Sequence, residues 1–204
     1  MGVNGLYYAQ TQLFSKNGKK MQFIIELWLP ILVASVVLFF VSAFAWMVLP
    51  HHNKFDWSKL PNEDAFIGAV KQTDIAPGRY MFPHVGSHQE AQKPEFQEKH
   101  KTGPVGTLIV FGKINMGVNM LWTFVFFLVC NSMLAYLAWF ALSKHEEQTF
   151  MDIWRFVGTA AILTYSCSAI PNDIWFKRPS LTNVIDGIVY GLVCGLIFAS
   201  LWPR

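Results

Sequence analysis

Four apolar runs, each long enough to cross a hydrocarbon core, constrain this chain more than any other feature, because about 20 helical residues span a bilayer. They cover Leu27 to Leu49, Asn115 to Leu142, Phe150 to Ile170 and Leu181 to Trp202. In lipid a backbone must satisfy its own N–H and C=O groups, so runs of this length read as helices. Trp28 and Trp46 stand near the ends of the first run, where amphipathic rings favour the interface. The third run is the least apolar, with Asp152 and Arg155 in its first turns. Composition agrees with this reading. The 204 residues are 53% hydrophobic and 14% charged, against roughly 25% charged for a soluble domain. A scattered net charge of +3 argues against nucleic acid as a partner. Three cysteines, all in apolar runs, make no disulfide framework.

The expected fold class is an all-α membrane protein, a four-transmembrane-helix bundle with a small α+β extracytoplasmic insertion between helices 1 and 2. The chain divides into a cytoplasmic tail at 1–20, helix 1 at 21–49, the insertion at 50–112, then helices 2, 3 and 4 at 113–142, 150–170 and 181–202. Within the insertion, Pro61-Asn62-Glu63-Asp64 reads as a helix start with acidic residues at its N-terminus. Pro77-Gly78 is a turn signal, Arg79 to Pro83 a short strand, Pro94 to Lys101 a charged helix and Val105 to Phe111 a second strand. Two strands alone are marginal in water, so this unit is expected to lean on the membrane surface or on another chain.

Orientation follows from the Lys/Arg bias of short flanks. Lys16, Lys19, Lys20, Lys144, Arg155 and Arg204 share one face with both termini, while the opposite short loop has Lys177 and Arg178. This places both termini in the cytoplasm and the insertion outside. A cleaved signal peptide is the alternative for the N-terminus, with Ala43-Phe44-Ala45 as cleavage site. The apolar run is too long for that and continues past the site to Leu49. Met21 offers an alternative start, since residues 1–20 contribute little but charge.

Several short patterns resemble those of a family of small, uncharacterised bacterial inner-membrane proteins. They are Trp46-Met47-Val48-Leu49-Pro50 with His52, Leu60-Pro61-Asn62-Glu63, Pro77-Gly78-Arg79-Tyr80-Met81-Phe82-Pro83, Gly103-Pro104-Val105-Gly106 and Asn115-Met116-Gly117. The resemblance covers most of the chain. It implies four spans, an outside insertion and a place in the bacterial inner membrane, and it implies no activity.

The clearest packing signal lies in the fourth span. Gly187, Gly191, Gly195 and Ala199 recur every four residues, and such small-residue stripes let membrane helices approach closely. The partner helix is left open, in this chain or in another. Intramembrane polar groups come next, because a charge in hydrocarbon is costly and by default suggests function. Asp186 lies near the outer end of the fourth span, with Asn183 one turn before it, and Lys113 begins the second span at the same level. Asp186 is expected to pair with Lys113 or with a neighbouring tyrosine, or to sit close enough to the interface to be wet. At the cytoplasmic side Asp152 and Arg155 stand three residues apart and are expected to pair locally.

Histidines supply the third signal. His51 and His52 follow the first span directly, with Asp56 shortly after, and His84 and His88 flank a glycine in the insertion. Imidazole is the commonest metal ligand, so His51, His52, His84 and His88 form a candidate metal set on the outer face. No zinc-protease, paired-cysteine or haem-attachment spacing supports it. Cys130, Cys167 and Cys194, one per span, read as packing residues. The hydroxyls of Thr164, Tyr165, Ser166 and Ser168 form a polar patch near the outer end of the third span. The segment Pro171 to Pro179 reads as an interfacial loop. No nucleophile elbow or phosphate loop is present.

By elimination, the expected role is that of a non-enzymatic accessory or assembly subunit. It packs through helix 4 against a membrane protein partner or a second copy, within the lipid bilayer, and presents its insertion. The alternative is a metal- or small-ligand-binding membrane protein using the outer-face histidines with Asp186. A minimal channel or transporter is the second alternative, and it needs a polar path through the bundle.

Overall fold

A computed structural model describes the backbone of residues 3–142 and 148–203, with side chains from residue 22 onward. Lys144 and His145 lie outside the described residues, and so do the side chains of Lys16, Lys19 and Lys20 and all of Arg204.

Four helices are long and apolar enough to cross a membrane, which is consistent with an integral membrane protein. Among the described residues they are α1 (Val3–Met47), α6 (Met116–Leu142), the stretch Phe150–Phe176 that opens with α7 (Phe150–Ser166), and α9 (Leu181–Leu201). The apolar part of α1 is Gln22–Met47. Each helix buries one stripe and leaves the rest of its apolar surface outward, as helices in lipid do. On α1 the buried stripe is Leu27, Ile31, Ala34 and Leu38, and on α6 it includes Phe127, Leu134, Ala135 and Ala138. These spacings of three and four residues keep the side chains on one face. The four helices form a ring in which α1 packs on α6 and α9, and α7 packs on α6 and α9.

The α7–α9 contact is the most extensive, and the glycine stripe makes it. A Cβ added at Gly187 would collide with Ser166 and with the Tyr165 carbonyl, 2.8 Å away. At Gly191 it would meet Ile162, including its backbone N at 2.8 Å, and at Gly195 the Gly158 Cα and the Trp154 carbonyl, both at 2.9 Å. Ala199 packs beside the buried core one turn further on. The stripe that sequence reading assigned to an undetermined partner is thus filled by α7 of the same chain.

Mid-bundle, four helices meet around one polar residue. Asn131 of α6 donates to the Ser35 hydroxyl of α1 at 3.1 Å. Its Oδ1 accepts from the Tyr165 hydroxyl of α7 at 3.3 Å and from the Cys194 thiol of α9 at 3.3 Å. Polar side chains in lipid find one another across helices because no water is there to serve them. Cys194 therefore does more than fill space. All three cysteines are free.

Between α1 and α6 the chain forms α2 (His51–Phe55), α3 (Glu63–Gln72), β1 (Gly78–Phe82), α4 (His88–Ala91), α5 (Pro94–Thr102) and β2 (Gly106–Val110). β1 and β2 pair antiparallel, with Tyr80 opposite Leu108. The short helices α2 and α4 were not expected from sequence. α4 forms because Ser87 caps it, accepting from the Glu90 backbone N–H at 3.2 Å.

Two local expectations are corrected. Pro171 to Phe176, read as loop, belongs to a helix, α8 (Ala169–Phe176). Pro171 sits in the first turn, where a missing N–H costs nothing, so it does not stop the helix. Asp152, expected to pair with Arg155, closes a capping box at the start of α7. Its carboxylate accepts from the Thr149 hydroxyl at 2.6 Å and from the Thr149 backbone N–H at 3.1 Å.

Candidate metal centre

At the end of the bundle from which the insertion leaves, α1 stops at Met47 and the chain turns through Leu49-Pro50 into α2. That turn brings His51 and His52 back over α9. Asp186, in the second turn of α9, faces them. Its Oδ1 lies 3.0 Å from His51 Nε2 and its Oδ2 lies 3.0 Å from His52 Nε2, one imidazole to each carboxylate oxygen. The three ligand atoms all fall within 4.8 Å of one another.

A second carboxylate stands behind the first histidine shell. Asp56, four residues after His52, places Oδ2 2.6 Å from His52 Nδ1. Thr182 of α9 donates its hydroxyl to Asp56, 2.7 Å from Oδ1 and 2.9 Å from Oδ2. The Tyr190 hydroxyl approaches Asp186 Oδ2 at 3.4 Å. Trp46 stacks on the His52 ring with centroids 3.7 Å apart and planes inclined by 12°. His52 is therefore held on both edges and on one face.

The site is almost closed to solvent. Side-chain exposure is 2% for His52, 8% for Asp56 and 10% for Asp186, and 22% for His51. No lysine or arginine among the described residues pairs with either carboxylate. Two buried carboxylates with no lysine or arginine leave negative charge in a poor dielectric, which is costly unless protonated imidazoles or a bound cation answer it. A His52 ring with carboxylates at both nitrogens bonds to both when it carries two protons. A metal ion at Nε2 replaces one of those protons and leaves Nδ1–H on Asp56, the carboxylate–histidine–metal arrangement of many metal sites.

Two histidines and one carboxylate suit zinc, and they also suit iron(II) with open positions. Both histidine–carboxylate separations are hydrogen-bond distances, each imidazole reaching its own oxygen of Asp186.

The structure brings together three of the residues singled out from sequence, His51, His52 and Asp186. His84 and His88 are exposed in the insertion and lie outside this cluster, with His88 engaged by the Gln92 side chain at 3.2 Å. Lys113 is exposed ahead of α6, and the pairing expected between it and Asp186 is replaced by the two histidines. Asn183 bonds the Pro179 carbonyl at 3.2 Å and stays out of the site. Thr182 was missed, while Tyr190 is the neighbouring tyrosine expected as a partner of Asp186. Both stand four residues from Asp186 on the same face of α9, a spacing that marks them as neighbours.

No known protein family matches the chain, and neither a curated protein nor a solved structure is detectably similar to it.

Proposed function

We propose that this chain is a membrane protein that binds a divalent transition-metal cation through His51, His52 and Asp186, at the extracytoplasmic end of its four-helix bundle. The observation that carries the proposal is the charge arrangement. The side chains of Asp186 and Asp56 are buried with two histidines and with no lysine or arginine among the described residues. One M²⁺ with neutral imidazoles and two carboxylates makes a neutral cluster, which a low dielectric favours over isolated charge. His51 Nε2, His52 Nε2 and a carboxylate oxygen of Asp186 are the ligands. Asp56 and Thr182 orient His52, and Trp46 covers it. The test is elemental analysis of protein purified in mild detergent without chelator. The expected result is close to one zinc or iron per chain, lost in His52→Ala and Asp186→Asn. Sub-stoichiometric metal that the two variants retain would sink the proposal.

The accessory-subunit role is the second reading, and one observation favours it. The β1–β2 sheet pairs with itself, α3 and α5 bury no residue, and Phe82, Val105 and Phe111 are exposed on the insertion. In this reading the bundle is an anchor and the insertion is what a partner sees. The glycine stripe of α9 is not the docking surface, because α7 occupies it. Co-purification at native level tests it. A stoichiometric partner that is lost on trimming the insertion supports the role, and a homogeneous single species opposes it.

A further inference from the structure

A cavity of about 690 Å³ opens beside the candidate centre, between α1 and α9. Its walls include Val41 and Phe44 of α1 and Ile185 and Val189 of α9. Phe44, Ile185 and Val189 are about half exposed, so the cavity opens toward the side of the bundle that faces lipid. One end is different. There His51 and Asp186, two of the three ligands, line the same cavity. The volume falls within the range of pockets that hold small molecules, and a mostly apolar wall with a few convergent polar groups is their usual make-up.

We infer that this cavity seats a membrane-dissolved amphiphile with an apolar tail and an uncharged hydroxyl head, with the hydroxyl at the His51–Asp186 end. The inference rests on the metal reading above. A metal-ligated Asp186 has no charge to spare for a cationic head, and no lysine or arginine lines the cavity to receive a phosphate. An ordinary anionic or zwitterionic phospholipid head therefore has no partner here. A hydroxyl oxygen does, either as a donor to the carboxylate or as a further ligand at an open coordination position. The tail lies along Phe44 and Val189, where the wall is already apolar and the alternative surroundings are lipid. A long-chain alcohol and a quinol share this chemistry, an O–H on an apolar body.

The test uses the full chain in phosphatidylcholine nanodiscs with a photoreactive diazirine analogue of hexadecanol, mapping labelled residues by mass spectrometry. Label is expected to concentrate on 41–49 and 181–190. Excess hexadecanol or a short-chain ubiquinol should displace it, whichever competes better naming the head that fits, whereas hexadecylamine and hexadecyl phosphate should not. Ile185→Trp and Val189→Trp, which fill the cavity from successive turns of α9, are expected to lower labelling about tenfold. Label spread evenly over all four helices, equal displacement by the amine or the phosphate, or indifference to both fillings would overturn the inference. Metal content measured on the same samples keeps the two readings apart. Both filled variants are expected to retain metal, and a wild type without metal defeats the metal reading while the label map still decides the cavity.

Discussion

His52 and Asp186 stand 134 residues apart in the chain, and their side chains meet at 3.0 Å with almost no solvent access. The contact ties the first turn after α1 to the second turn of α9. It also joins the two elements whose surfaces form the adjoining cavity. The proposed metal site and the local packing of the insertion end therefore meet at one pair of side chains.

Removing Asp186 is expected to destabilise the insertion end of the bundle as well as release metal. Asp186→Ala leaves two buried imidazoles without their acceptor, and an unsatisfied buried group costs about 1–3 kcal/mol. Thermal unfolding in detergent, followed by circular dichroism, should show a lower midpoint for Asp186→Ala than for the variant Asn183→Ala one turn away. Equal midpoints would mean that the histidine contacts contribute nothing to folding.

Asp56 is expected to act on the metal through His52. Asp56→Asn keeps the size and one hydrogen bond but removes the carboxylate behind Nδ1. Loss of such a partner lowers metal affinity by about 10- to 100-fold. Competition with a chromophoric chelator measures this directly. Thr182→Val, which loosens Asp56 without changing its charge, should give a smaller loss in the same direction.

The glycines of α9 should differ sharply from the glycine of α7 that they face. Gly191→Ala places its methyl against the Ile162 backbone at 2.8 Å and is expected to cost about 1–3 kcal/mol through overpacking. Gly158→Ala meets nothing nearer than the Gly191 carbonyl at 3.5 Å, an ordinary contact, and should be close to neutral. Denaturant titration in mixed micelles distinguishes them. The oligomeric state is expected to be the same for both variants, because the stripe packs within one chain.

Asn131→Leu tests the mid-bundle polar cluster. It takes a donor from Ser35 and an acceptor from Tyr165 and Cys194. Interhelical hydrogen bonds in membranes average about 0.6 kcal/mol, so the summed loss should be about 1–2 kcal/mol. Metal content should be unchanged, since no bond links Asn131 to the centre directly. A variant as stable as the wild type would show that packing alone holds the four helices.

The four long apolar helices and the two strands between the first two of them were legible in the sequence, since apolar runs and turn chemistry are local. The run that became α1 needs only its length and hydropathy, and Pro77-Gly78 needs only its neighbours. Pro171 misled because proline breaks a helix by position: in a first turn it is harmless. The stripe Gly187–Gly191–Gly195 announced close packing, yet periodicity on one helix carries no information about which helix fills it.

What the sequence by itself determined is which residues stand out beside or within the apolar runs: His51 and His52 after the first, Asp186 and the small-residue stripe in the fourth. A charge in hydrocarbon is costly, and glycines at every fourth position let helices approach closely. The tertiary structure alone decided their partners. The sequence puts Lys113, His51 and His52 near the same end of the apolar runs as Asp186, and position along a run is all that hydropathy encodes. The turn at Leu49-Pro50 and the packing of α1 against α9 set the azimuth, and azimuth determines which of two candidates at one depth reaches the carboxylate.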